Sequence, residues 1–430
     1  MLHSFIREND MIIKQKQICI YILALLIILN HSVYYYIDTS KIFIQVFLLV
    51  WTFTTYMVIT GWKTRIGKKI KKKLYLAIGL AIICLVAMNA EGEIVSFVSR
   101  YLYFIPLLIL ILDELKEEKL TLIYAISDII FGIAVISLFF WLYGTFLDLI
   151  QPTNFLSIEW AGFCKGDIKG GYNYMYLYYE VQRAPETVIK YISCRNCAIF
   201  CEGPAYAFML SLALVVENFF RQKKRISKIV ILWLVMLTTL TSSTIMYMMV
   251  FMLLRWYLNN KGSRKTRTLI IPIMVLIFLF ALWLVILNKS NQTSVAIRLG
   301  GYLGALKSLG NKPVAGYGYS YDPTIFGAGI TDSLSDVAVR GGLLFIAYYL
   351  LPFISYIINA IWTMIKNKKN YNKSRDKIFA LFVWGIYAFS TTILTYTFIM
   401  LVIVAYGYSS LGGDEESENK KIGDTIFVSK

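Results

Sequence analysis

Between Ile229 and Leu254 the chain reads IVILWLVMLTTLTSSTIMYMMVFMLL, a run without a single charge. A spanning helix needs about 20 apolar residues, so by length this run crosses a membrane once. Its flanks argue otherwise. Arg221, Lys223, Lys224, Arg225 and Lys228 precede it, and Arg255, Lys261, Arg264, Lys265 and Arg267 follow it. Short basic linkers stay on the cytoplasmic side, and one crossing would separate these two. The sequence therefore predicts two short, tilted or incomplete crossings that turn near Thr241-Ser242-Ser243-Thr244, where hydroxyls bond the freed backbone groups.

Outward from this hairpin, apolar segments fall at roughly 17 to 37, 41 to 62, 74 to 90, 96 to 112, 121 to 147, 198 to 219, 269 to 288, 337 to 362 and 378 to 411. The last is too long for one ordinary crossing, and Ser390-Thr391-Thr392 marks a turn inside it. The expected fold is an all-α polytopic membrane protein with about twelve transmembrane helices. It is one membrane domain over residues 1–430, ending in a cytoplasmic tail at 412–430. With the amino terminus inside, the linkers Lys63 to Lys73, Arg221 to Lys228, Arg255 to Arg267 and Lys366 to Lys377 all face the cytoplasm. Two large loops, 148–197 and 289–336, then face outward.

Composition agrees with this topology. Hydrophobic residues make up 58% of the chain and charged residues 16%, and mean hydropathy is +0.61. Those values exclude an ordinary soluble protein. The net charge of +17 sits in short linkers, which points to anionic lipid headgroups and not to nucleic acid. The first apolar run continues through Tyr36 without a small-residue cleavage site, so no cleavable signal peptide is expected.

The second large loop carries SVAIRLGGYLGALKSLGNKP from Ser294. Val295, Leu299, Tyr302, Leu306 and Leu309 recur at helical spacing beside a face of small residues, Gly301, Ala305 and Ser308. Thr293 or Ser294 caps the start of this amphipathic helix, and Gly310, Asn311 and Pro313 end it. Arg298 lies in its first turn, followed downstream by Gly316-Tyr317-Gly318, Asp332, Asp336 and Arg340. An arginine there offers a charged planar fork that fits a phosphate or carboxylate.

In the first large loop, Tyr172, Tyr174, Tyr176, Tyr178 and Tyr179 crowd together, as a short strand, a sugar-stacking surface or an anchor at the headgroups. The loop ends in CRNCAIFCEGP. If the helix has begun by Arg195, Arg195 and Glu202 share one face; they also suit a pair that merely anchors the helix. Pro204 fits a first helical turn or a kink. Cys164, Cys194, Cys197 and Cys201 have no second pair at metal-ligand spacing, and His3 and His31 are distant in sequence. Unpaired thiols are the favoured reading; a disulfide from Cys164 to Cys194 or Cys197 is the alternative if the loop is outside. Asp128 belongs near the cytoplasmic end of its segment.

The order Arg298, amphipathic helix with Gly304-Ala305-Leu306, Pro313, Gly316 and Gly318, an acid, then a membrane segment resembles the large extracytoplasmic loop of the O-antigen polymerase and ligase superfamily. Arg195 and Glu202 before Pro204 resemble its element after the first large loop, with Gly203 here between acid and proline. The resemblance implies glycan transfer from a polyprenyl-diphosphate donor to a sugar hydroxyl at the outer face of the bacterial cytoplasmic (inner) membrane. It implies a diphosphate clamp of Arg195, Arg298 and Arg340, a base among Asp332, Glu202 and Asp336, and a loop shaped by Pro313, Gly316 and Gly318. No metal or other cofactor is expected. Partners would be membrane lipids, a chain-length regulator and a flippase.

The ligases of the superfamily associate a histidine late in the second loop with the base role. No histidine occurs in either loop here, so the resemblance favours polymerisation of repeat units into O-antigen, capsular or exopolysaccharide. The rival readings are a ligase, a shape-and-division type peptidoglycan polymerase, a secondary transporter or polysaccharide exporter, and a structural scaffold. A transporter would place its charges near the midplane.

Overall fold

The computed structural model describes residues 2–36, 38–60, 68–87, 105–112, 121–157, 171–182, 193–221, 223–259, 293–318, 332–366, 380–381, 383–385, 388 and 397–410. The expected segment 269 to 288, the turn at Ser390 to Thr392, Cys164 and the tail lie outside them. The described chain is mostly helical. Its elements are α1 (Leu2–Leu29), a turn of helix α2 (Val33–Tyr36), α3 (Asp38–Thr60), α4 (Lys68–Ala87) and α5 (Thr121–Phe140), which continues as a wider π-type turn over Trp141–Phe146. Strands β1 (Asn154–Leu156), β2 (Gly171–Tyr174) and β3 (Tyr178–Glu180) follow. The rest are α6 (Gly203–Val215, widening over Val216–Phe220), α7 (Ile226–Thr238), α8 (Ser242–Asn259), α9 (Thr293–Asn311), α10 (Ser333–Lys366) and α11 (Phe398–Ser410).

Three of these helices, Thr121–Phe146, Gly203–Phe220 and Ser333–Ser355, are long and apolar enough to cross a membrane. That length and composition fit a membrane protein.

The run from Ile229 to Leu254 breaks where its hydroxyls lie. Thr238 and Thr239 turn their hydroxyls back onto the carbonyls of Val235 and Met236 at 2.7 and 2.8 Å. Thr241 Oγ1 accepts the N–H of Thr244 at 3.2 Å, while Leu240 takes a positive φ of 47°. Side chains thus replace the helical bonds that the turn forfeits. The two arms return past each other, because Trp233 on α7 meets Phe251 on α8 edge-on at 5.1 Å.

The other helices define the same two ends. Trp51 Nε1 donates to the Cys19 carbonyl at 3.0 Å and Gln45 reaches Tyr35 at 2.8 Å, so α3 runs back along α1. Ser137 bonds Tyr206 at 2.7 Å and Tyr124 donates to Phe220 O at 3.0 Å, so α5 and α6 are antiparallel. One end of the bundle carries the turn after α1, the small sheet, residues 194–203 and the turn at Thr239–Thr241. The opposite, basic end carries Asp128, Glu217, Arg221, Arg225 and Lys228.

Helix α10 contains two departures from regularity, and each is compensated. Pro352 has no N–H for the carbonyl of Tyr348, four residues earlier, and the Tyr408 hydroxyl on α11 donates to that oxygen at 2.8 Å. At Gly342 the backbone leaves the helix altogether (φ 58°, ψ −151°). Residues Pro313–Gly318 fill the break: Tyr317 N and Gly318 N donate to Val339 O and Arg340 O at 2.9 and 2.8 Å. Leu343 N and Leu344 N donate in turn to Pro313 O and Val314 O at 2.8 and 3.1 Å. This four-bond clasp requires Gly316, where an added Cβ would lie 2.6 Å from Val339 O.

Helix α9 has the expected ends, but its packed face is the reverse of a water-soluble helix. Ala305 and Ser308 are buried, with Ala305 packed on Ala338 and Val339 of α10. Tyr302 and Leu306 of the expected apolar stripe are exposed, as is Leu303 beside them, while Leu309 packs on the buried face. Small residues let two backbones approach closely, and large apolar ones then face outward, as suits a lipid environment.

Candidate functional site

The site is built on residues 193–202, a non-helical strap across the sheet end. The helix that sequence spacing would begin by Arg195 begins at Gly203, with Glu202 extended at its cap position and Pro204 in its first turn. Arg195 and Glu202 therefore do not share a helical face. The strap is fixed by its neighbours: Arg195 N donates to Gln182 O at 3.0 Å and Tyr179 N to Ala198 O at 2.9 Å, extending the sheet. Asn196 bonds Thr238 through its backbone N–H (3.1 Å) and its side chain (2.9 Å), Trp141 Nε1 donates to Cys194 O at 3.2 Å, and Val33 N donates to Ile199 O at 2.8 Å. Four separate elements thus hold one short segment in place.

Arg195 lies over the first turn of α6. An added Cβ on Gly203 would be 3.4 Å from Arg195 Cδ, 3.0 Å from Thr239 O and 2.7 Å from Thr241 Cγ2, so glycine lets all three neighbours close in. Gly203 N donates to Gln182 Oε1 at 2.9 Å. The Nε of Arg195 is buried without a hydrogen-bond partner. Burial pulls its pKa down from the ordinary arginine value, while Cys197 and Glu202 act in the opposite sense. A guanidinium desolvated in this way beside the positive end of a helix dipole is arranged to receive an anion.

The sheet roofs this end. Strands pair antiparallel in the order β1-β2-β3, with Tyr172 opposite Glu180 and Tyr174 opposite Tyr178. The tyrosine cluster is thus a hairpin in which three rings turn inward, Tyr174 and Tyr178 packing on Phe140 and Tyr179 on Tyr34, while Tyr176 is exposed. Glu180 is fully buried and accepts from Thr145 Oγ1 at 2.7 Å and Tyr174 OH at 2.9 Å. Burial pushes the Tyr178 hydroxyl up from its usual pKa, so it remains a proton donor. Sequence reasoning missed Glu180, since a lone acid after five tyrosines carries no local signal.

Cys194 is disulfide-bonded, with its partner outside the described side chains; Cys197 and Cys201 are free, buried thiols. The expectation of unpaired thiols therefore fails at Cys194. Burial pushes the Cys197 thiol up, which keeps it protonated and inert.

The second loop's acids have local partners. Asp332 caps α10, accepting Ser335 N at 2.8 Å and Ser335 Oγ at 2.9 Å. Asp336 Oδ1 accepts from Arg340 Nε at 2.8 Å, one turn apart on the same helix. Arg298 stands on α9, and its side chain lies outside the described residues, as does its expected convergence with Arg195. Among the described residues no group of three or more His, Cys, Asp or Glu could hold a metal.

At the basic end, Asp128 accepts from Arg221 and Arg225 at 2.7 Å each, from Lys228 at 2.9 Å and from Tyr21 at 3.0 Å. Glu217 pairs with Arg225 and accepts from Ser127 at 3.0 Å. The sequence placed Asp128 at this end, but the network itself depends on tertiary contact.

No protein-family model matches the chain, and no curated protein or solved structure matches it at a significant level.

Proposed function

We propose that the chain polymerises polyprenyl-diphosphate-linked oligosaccharide repeat units at the outer face of a bacterial cytoplasmic membrane. In this reading the protein crosses the membrane twelve times, and the sheet end faces outward. The observation that carries the reading is Arg195: a partly desolvated cation whose Nε has no partner, held at a helix N-terminus by four elements.

In the step, the acceptor hydroxyl oxygen forms a bond to the anomeric carbon of the donor as the carbon–oxygen bond to the diphosphate breaks. The diphosphate leaves with the electron pair, and the hydroxyl proton passes to a carboxylate. Arg195 stabilises the developing phosphate charge, assisted by Arg298 from the second loop. The base is one of Asp332, Glu202 and Asp336; Glu202 acts electrostatically on Arg195, while Asp332 caps a helix and Asp336 accepts from Arg340.

The network at the basic end weighs against a transporter. It ties α1, α5, α6 and α7 together where an alternating-access protein must open. The test is deletion of the gene followed by analysis of lipid-linked glycan. Single repeat units should accumulate as long polymer disappears. Full-length polymer trapped inside the cell would contradict polymerisation and favour an exporter.

A further inference from the structure

His31 occupies the turn after α1, at the sheet end. Its neighbours in the turn are all engaged: Asn30 Oδ1 accepts Phe398 N at 3.2 Å, Ser32 Oγ donates to Leu29 O at 2.7 Å, and Val33 N reaches Ile199 O at 2.8 Å. His31 is the exception. It is only 7% exposed, yet neither ring nitrogen has a hydrogen-bond partner. Its ring lies 5.9 Å from that of Phe200 and edge-on at 6.4 Å from that of Phe208. Phe200 belongs to the strap that carries Arg195, and Phe208 lies in the second turn of α6, so His31 packs against the same two elements that position Arg195.

Leaving a buried donor and acceptor unpaired destabilises the folded chain. A leucine or phenylalanine here would fill the same apolar surround without that cost. In its neutral form an imidazole presents one donor and one acceptor, which matches a group that also donates and accepts through one atom. That group is a hydroxyl. An anion would need a donor alone, and no cluster of metal-ligating side chains lies around the ring among the described residues.

We propose that His31 recognises a glycan hydroxyl at the sheet end, against the strap that carries Arg195. The inference rests on the proposed glycan transfer, with the first hairpin contributing a residue that neither large loop contains. A buried water is the other source of the same hydroxyl chemistry, and stability separates the two. The experiment compares full-length His31→Phe and His31→Gln in the deletion strain at matched membrane abundance, with melting temperatures of the purified proteins. His31→Phe should make at least about tenfold less long polymer while melting no lower than the native chain, because it removes an unpaired polar group. His31→Gln, which keeps a donor and an acceptor, should restore most of the polymer. Native polymer from His31→Phe would overturn the inference, and so would a joint fall of polymer and melting temperature, the mark of a structural water. Arg195→Ala serves as the reference. If it abolishes polymer while His31→Phe does not, only the role of His31 fails; if neither matters, the glycan-transfer reading fails.

Discussion

The two ends of the bundle treat charge in opposite ways. At the basic end two carboxylates and three cations are matched to one another, and Glu217 is almost fully buried among them. At the sheet end the Nε of the half-buried Arg195 and both ring nitrogens of the buried His31 have no partner, whereas Arg221, whose Nε is also without a hydrogen bond, still pairs with Asp128. A matched network holds helices in one arrangement, whereas unmatched groups on a rigid support are poised for a partner that is not part of the chain. On the proposed function, the basic end is a seal and the sheet end is where glycan transfer would take place.

The comparison can be broken most decisively by its orientation, since that outcome is all or none. Single cysteines introduced at Ser242 and Ser263 should label from outside and from inside respectively. Two inside labels would overturn the double crossing of α7 and α8. Next in size is the seal itself. Glu217→Ala leaves Arg225 short of a partner and should destabilise the protein by about 3–5 kcal/mol, read as lost abundance and a lower melting temperature. Adding Arg225→Ala should recover part of that loss. At the clasp, Gly316→Ala forces a Cβ against the α10 carbonyls at positive φ and should cost about 1–3 kcal/mol. Lys224→Ala, an exposed residue at the basic end, should change stability by no more than about 0.5 kcal/mol in thermal unfolding.

What the sequence made legible depended on local rules. The hairpin at Ile229 to Leu254 was readable because threonines interrupt an apolar run between two basic flanks, and the ends of α9 because glycine, asparagine and proline stop a helix. The packed face of α9 was not readable from its stripe. The stripe rule assumes water outside, and here the exposed face carries Tyr302, Leu303 and Leu306. Arg195 stood out as a charge beside an apolar segment, yet its setting was misread, since the chain stays non-helical, with a turn at Ala198, as far as Glu202. Glu180 and His31 had no local signature at all. Their burial arises when residues more than a hundred positions apart, such as Val33 and Ile199, are hydrogen-bonded together.

The central claim is that Arg195 binds the diphosphate of the donor, and the most direct measurement is long-chain polysaccharide from a deletion strain carrying Arg195→Ala or Arg195→Lys at matched membrane abundance. The account predicts a loss of about 100-fold to 1000-fold for alanine, the effect of removing one preorganised oxyanion donor. Lysine should remain seriously impaired, because it keeps the charge and loses the planar fork. Polymer at the native level from Arg195→Ala would contradict the account.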